Sequence, residues 1–215
     1  MPAQEPLSQP GLIETLLWTR SEGYRLLDEH LARLSHSARV LGYRHDAARV
    51  TAALDSIKAS SESLRVRLVV HHDGEVDVTA QALPAMAPGT VWRAAIAGIR
   101  LNSADPLLAH KTTRRDFYDD ERARLAASLK ADEALFLNER GEICEGGITT
   151  IFVPRDGRLL TPPLSRGLLP GVLRGYLIAR GEAFEGDVRL EDLRHGFQLG
   201  NSVRGLIAAR LVEPA

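Results

Sequence analysis

The stretch AHKTTRRDFYDDER, residues 109–122, contains a lysine in a chain that draws its positive charge almost wholly from arginine. The 27 basic residues are 24 arginines and three lysines, Lys58, Lys111 and Lys130. A lysine amine can shed its proton and form a Schiff base with a carbonyl compound, whereas a guanidinium stays protonated in a protein. Lys58 and Lys130 fall on the polar faces or ends of helical patterns, but Lys111 lies in neither. Imine chemistry is the use that separates it from an arginine; a solvated surface charge is the competing reading. The stretch LLPGVLRGYL sets Pro170 and Gly171 before a helix whose first N–H groups and dipole favour an anion, with Arg174 in its first turn. The same pair also serves simply to start a helix. GNSVRG offers Asn201 and Ser202 as short polar groups and Arg204 as a fork for carboxylate or phosphate, or forms a plain turn. Glu145, in EICEGGITTIF, stands between a strand-like run and two glycines, where a buried glutamate paired to a ring nitrogen and a turn glutamate are both consistent. HLARL puts His30 and Arg33 on one helix surface.

These residues need elements to position them. LIETLLWTRSEGYRLLD reads as two strands around the turn Ser21-Glu22-Gly23. DEHLARLSHSARVLG reads as a helix with Leu31, Leu34, Ala38 and Leu41 on one stripe, Asp28 as a cap and Gly42 as the stop. HDAARVTAALDSIKAS gives a second helix, LRVRLVVHHDGEVDVTAQAL a hairpin turning at Asp73-Gly74, and TVWRAAIAGIR another strand. The first half is thus ββααβββ, an α+β unit expected over 1–104. LNSADPLLAHKTT is the connection to a second unit over 105–215. There RRDFYDDERARLAASLK is a helix, DEALFLNERGEICEGGITTIFVPRDGRLLTPP a series of short strands, GVLRGYLIARG a helix, RLEDLRHG a short helix and FQLGNSVRGLIAARLV strands. The expected architecture is a small α/β N-terminal domain and a β-barrel-like C-terminal one. Lys111 falls just after the junction, and ligand sites favour such interfaces.

Bulk properties narrow the classes. A net charge of -1 argues against broad nucleic-acid binding. The single Cys144 excludes an internal disulfide. No apolar run approaches the ~20 residues of a membrane span, and the N-terminus lacks a basic region followed by an apolar one, so the cytoplasm is the expected location. There is no GxGxxG or GxxxxGK[ST] loop and no GxSxG elbow. His71 and His72, adjacent in a predicted strand, point to opposite faces and start no metal site.

Taken in order, ETL at 14–16, LLDEHLARLSHSA at 26–38, HKTTRRDFYDDER, DEALFLNERGEICEGGITTIFV, LLTPPLSRGLLPGVLR and GNSVRGL resemble the fold-type IV pyridoxal-phosphate enzymes. These are the D-amino-acid and branched-chain aminotransferases and aminodeoxychorismate lyase. The resemblance runs over nearly the whole chain. HKTTRR and NSVRGL most resemble the lyase module fused to or associated with aminobenzoate synthase component I. It implies that Lys111 holds pyridoxal 5'-phosphate covalently and shuttles a proton, and that Glu145 pairs with the pyridine nitrogen. Arg33, the Gly171–Val172 backbone and Ser202 would hold the phosphate, and Tyr118 would line the pocket. Arg114 and Arg204 are candidates for substrate carboxylates on chemical grounds. Two departures stand out: Thr149-Thr150 replaces a common Ser-Asn, and the chain begins at PGLIETLL without the leading strand and DRG…GDGVFE segment of full-length aminotransferases.

The resemblance implies a lyase that converts 4-amino-4-deoxychorismate to 4-aminobenzoate and pyruvate, a folate precursor step. Two alternatives remain: a class IV aminotransferase acting on branched-chain or D-amino acids, and a cofactor-free, inactive partner of aminobenzoate synthase. A homodimer is expected by resemblance, with aminobenzoate synthase component I as a further partner.

Overall fold

The computed structural model describes residues 9–213; the lead at 1–8 lies outside them. Four antiparallel strands, β1 (Leu12–Thr19), β2 (Gly23–Tyr24), β3 (Ser63–Val70) and β4 (Val76–Ala82), make a small sheet ordered β2-β1-β3-β4. Strand alternation gives this sheet two unlike faces. Leu12 and Leu16 of β1 and Leu64, Val66, Leu68 and Val70 of β3 point one way and are buried. Against them pack Leu34 and Ala38 of α1 (Leu27–Leu41) and Val50 and Leu54 of α2 (Ala47–Asp55). The other face is polar: Thr15 pairs across to Arg67, Arg67 to Thr79, and Arg65 to Gln81. Helix α1 ends where expected, at Gly42 with φ 75°. Asp28 does not cap it. The N-cap is Leu26, itself left-handed, and Asp28 lies inside the first turn, where its charge meets the positive end of the helix dipole. His71 and His72 fall in the β3–β4 turn rather than in a strand.

The second sheet has eight strands. β5 (Val91–Leu101), β6 (Glu133–Asn138), β7 (Ile143–Gly146), β8 (Thr150–Arg155), β9 (Arg158–Thr161), β10 (Ala183–Glu185), β11 (Phe197–Asn201) and β12 (Gly205–Leu211) are ordered β10-β9-β8-β11-β12-β5-β6-β7. β5 departs from the sequence expectation. It pairs in parallel with β12 and β6, so the chain changes sheets within 83–90 rather than near 104. Its apolar pattern fits either sheet, and only the partner strands, far away in sequence, decide between them. β10 is too short to be visible as a periodic run. Helices α3 (Asp116–Leu129) and α4 (Val172–Ala179) cover this sheet.

Chain length forces the large sheet to curl. β7 and β8 stand five places apart in the strand order, which in a flat sheet is roughly 24 Å. From Gly146 to Thr150 the chain can span at most about 14 Å. Both conditions hold only if the sheet rolls toward closure, and the Gly146 N–H donates to Thr149 O at 2.8 Å in the linking turn. Leu135, Leu137, Ile143, Ile151, Val153, Leu199 and Ala209 form one core of the rolled sheet. Ala95, Ala134, Phe136 and Cys144 form another beneath Leu125 of α3.

Phe136 is fully buried and meets the Tyr118 ring edge-on, with centroids 4.8 Å apart. Replacing Phe136 with Ala is expected to remove about 3–5 kcal/mol of stability in urea titration, and Phe136→Leu clearly less. Equal losses for the two would mean that ring volume is not what this core uses.

Candidate active site

A cavity of about 780 Å³ lies between the polar face of the small sheet and the closing edge of the large one. Arg33, Lys111, Arg114, Tyr118, Glu145, Gly171, Val172, Ser202 and Arg204 all line it, although they come from five separate stretches of sequence. The sequence reading thus named residues that the fold collects in one place. It did not name Arg65, Arg67 or Arg115, which also line the cavity, and it marked Thr150, another lining residue, only as a departure from the common Ser-Asn. Nor did it single out Glu14, which sits buried behind Arg33. Arg65 and Arg67 had a signal: in LRVRLVV they occupy alternate strand positions, hence one face. Glu14 had one too, a carboxylate inside the apolar strand LIETLLW.

Lys111 is anchored through its backbone to β1. The Ile13 N–H donates to Lys111 O and the Thr113 N–H to Gly11 O, each at 2.8 Å, and Leu12 bridges to Thr112. The side chain faces the cavity, enclosed by protein. Burial pulls its amine down to about 7, helped by the nearby charges of Arg115, Arg33 and Arg67 and opposed by Glu14. A large fraction of the amine is therefore unprotonated near neutrality, which an ordinary surface lysine is not.

Glu145 ends β7 just before the closing turn. Burial pushes its carboxyl up to about 7, although two donors pull the other way. The Tyr118 hydroxyl donates to Oε1 at 2.5 Å and the Leu169 N–H to Oε2 at 3.0 Å. Burial and the Glu145 charge together raise the Tyr118 hydroxyl, so it remains a donor.

The third part of the site is the start of α4. Gly171 is its N-cap, with no side chain capping the first N–H groups. A Cβ at position 171 would stand 2.7 Å from the Thr150 hydroxyl, so only glycine lets these groups meet. Ser202, in the turn between β11 and β12, is buried beside them and donates to Thr15 O at 3.4 Å. Arg33 closes the group from α1 by donating to Pro170 O at 3.2 Å. Arg174, read above as an added charge for an anion, does otherwise: it is buried and tied to Pro162 O and Glu185.

Arg114 and Arg204 reach the cavity but are engaged. Arg114 Nη2 lies 2.5 Å from Asp105 Oδ2, and Arg204 Nη1 donates to Pro84 O at 2.7 Å. Arg115 binds Asp119 and Gly147 O and lies over the Tyr118 ring, 5.7 Å from its centroid. Arg67 has no ion-pair partner among the described residues. Burial and the neighbouring Arg115 and Arg65 work against its charge.

The family model described as amino-transferase class IV matches residues 11–212. The chain belongs to the class IV aminotransferase family. It is accordingly a pyridoxal-phosphate enzyme. A protein of Schizosaccharomyces pombe, provisionally named an aminodeoxychorismate lyase, is 29% identical, the match covering 96% of this chain and 91% of that one. Among solved structures, a Mesorhizobium loti protein provisionally named an amino-acid aminotransferase is 42% identical with a TM-score of 0.90, covering 95% of this chain and 100% of the other. The 4-amino-4-deoxychorismate lyase of Pseudomonas aeruginosa is 25% identical with a TM-score of 0.78, covering 99% and 89%. The donor set fits the cofactor: an amine near its neutral form, a buried carboxylate held by two donors, and an uncapped helix start beside Thr150, Ser202 and Arg33. No helix of the described residues is long and apolar enough to cross a membrane.

The buried amine has a thermodynamic consequence. A lysine held below its usual 10.5 disfavours the folded state increasingly as pH falls from about 10.5 to about 7, and levels off below that. In cofactor-stripped protein, Lys111→Met is therefore expected to melt at a higher temperature than wild type at pH 7, with the gap closing toward pH 10.5. A gap that does not change with pH would show that the Lys111 amine keeps an ordinary pKa.

Proposed function

We propose that the chain is a lyase converting 4-amino-4-deoxychorismate to 4-aminobenzoate and pyruvate. The observation that carries the reading is the cavity wall formed by Arg65 and Arg67 with Thr15, Thr79 and Gln81. Arg67 is within electrostatic reach of Lys111 and has no described ion-pair partner. A wall of that chemistry suits a substrate with two carboxylates, whereas a branched-chain side chain calls for an apolar one. The similarity to two lyases along most of the chain supports the same reading.

In this reading Lys111 carries the cofactor and its freed amine removes the proton from the amine-bearing carbon of the substrate. Bound pyridoxal phosphate supplies an electron sink for the carbanion left on that carbon. Glu145, oriented by Tyr118 and the Leu169 N–H, holds a proton on the ring nitrogen. Arg33, the Gly171–Val172 backbone and Ser202 hold the phosphate. Arg67 and Arg65 orient the carboxylates, with Arg114 and Arg204 at the rim. The enolpyruvyl group then leaves from the neighbouring carbon, and the gain of aromaticity drives that step. The enolpyruvyl oxygen leaves with the C–O electron pair, and Lys111 gives the proton to that departing enolate, which becomes pyruvate. The working form in this reading is a homodimer, with aminobenzoate synthase component I as a partner; family resemblance supports both.

A class IV aminotransferase is the second reading, favoured by the 42% identity to the Mesorhizobium loti protein. It would use Lys111 to remove the same proton, and would differ in passing the amino group to a keto acid rather than expelling a leaving group. An inactive binding partner is disfavoured, because Lys111, Glu145 and Arg33 all meet in one cavity.

Purified, cofactor-loaded protein is expected to release pyruvate and 4-aminobenzoate in equal amounts over many turnovers from 4-amino-4-deoxychorismate with no keto acid present. Lys111→Ala should abolish this, and Arg67→Gln should raise KM more than it lowers kcat. Absence of pyruvate, with amino-group transfer to a keto acid, would replace the lyase by the aminotransferase.

A further inference from the structure

Glu14 is a carboxylate on the face of β1 that otherwise packs against apolar helix residues. It is buried and fully engaged. Arg33 donates to it through both edges of its fork, Nε to Oε1 at 2.9 Å and Nη2 to Oε2 at 2.6 Å. His30 Nδ1 lies 2.6 Å from the same Oε2, and His30 is as buried as Glu14. Burial alone would raise the carboxyl, but Arg33 and His30 hold it at about 2, so it is charged at every working pH. An ionised carboxylate so far from water requires a purpose, since an apolar residue there would extend the core without desolvation cost.

Its partners indicate the purpose. Arg33 directs a third donor, on Nη1, to Pro170 O, one residue before the cap of α4, which leaves one N–H on each of Nη1 and Nη2 for a ligand. The residue before Glu14, Ile13, donates its N–H to Lys111 O. Glu14 therefore stands where the backbone that carries Lys111 and the guanidinium beside α4 are both fixed. We propose that Glu14 is the positioning residue of the phosphate site: its two bonds to Arg33 hold the guanidinium fork at the start of α4 in the orientation a phosphate needs. His30 braces the other lone pair of Oε2 and prevents the carboxylate from turning. This rests on the reading in which Arg33 and the Gly171–Val172 backbone take the cofactor phosphate.

The test compares two probes, pyridoxal phosphate and pyridoxal, on the stripped full-length protein. Both react with Lys111 and both present a ring nitrogen to Glu145, but only the first carries a phosphate. The ratio of their affinities isolates the phosphate contacts from general damage to the fold. Arg33→Gln is expected to lower that ratio. Glu14→Gln is expected to lower it by about tenfold, the scale of one charge-assisted hydrogen bond. Any effect of the lost Glu14 charge on the Lys111 amine acts on both probes and cancels in the ratio. In the Arg33→Gln background, Glu14→Gln should change the ratio no further, and the uncharged pair of that double variant spares the core an unpaired charge. An unchanged or raised ratio in Glu14→Gln, or a further fall in the double variant, would overturn the role of Glu14. An unchanged ratio in Arg33→Gln itself would instead overturn the phosphate assignment beneath it.

Discussion

The short link between β7 and β8 is the constraint on which the rest of the site depends. Because residues 147–149 must join strands five places apart, the large sheet rolls until its edge strand meets β8. Glu145 and Thr150, at the two ends of the link, are thereby brought beside one another. The link is held by Glu133, which is buried and accepts from Ile148 N, Thr149 Oγ1 and Arg122 Nε at 3.1, 2.9 and 2.9 Å. Crowding there is severe: a Cβ at Gly147 would stand 2.3 Å from Arg122 Cδ. A side chain at 147 would therefore displace Arg122 from the Glu133 that holds the turn. β11 pairs with β8 at Gly200 and Thr150, which sets Ser202 next to the same spot.

One physical effect then acts in opposite senses on two groups. Removal from water disfavours charge, so it lowers the Lys111 amine and raises the Glu145 carboxyl, bringing both to about 7. At its ordinary value the amine would be locked as a cation near neutrality, whereas the carboxylate serves as an anion and is helped to stay one by the donors it accepts. Local partners then separate them. Three arginines press on Lys111 and favour its neutral form, while Tyr118 and the Leu169 N–H support the anion of Glu145. A positive field of Arg33, Arg67 and Arg115 around an enclosed amine is also the arrangement that attracts an anionic ligand.

Much of this was legible in the sequence, and what was not has a physical reason. The scarcity of lysine isolated Lys111, the Pro-Gly pair marked α4, and hydrophobic periodicity placed α1. Gly42 ended α1 as a left-handed glycine should. Asp28 as a cap failed because Leu26 takes the left-handed position ahead of the helix, a local geometry that propensity does not encode. The membership of β5 is a question about partners more than thirty residues away. Arg114 and Arg204 were chosen by type, yet type says nothing of prior engagement, and Asp105 and Pro84 O already occupy them. Arg67, which has no side-chain partner among the described residues, lies on β3 and is visible only once the polar face of the small sheet is known to meet a cavity.

The two sheets keep separate apolar cores, one shared by β1, β3, α1 and α2 and the others within the rolled sheet. Polar ties join them around the cavity, among them Ile13 N to Lys111 O, Thr113 N to Gly11 O, Arg33 to Pro170 O and Ser202 to Thr15 O. Each of these ties includes a residue that lines or borders the cavity. Such hydrogen bonds contribute only about 1 kcal/mol apiece, much less than a shared core would. A group that binds in the cavity and contacts both sides therefore adds to a modest docking energy rather than to a large one, and by mass action it stabilises the docked arrangement in proportion to its affinity.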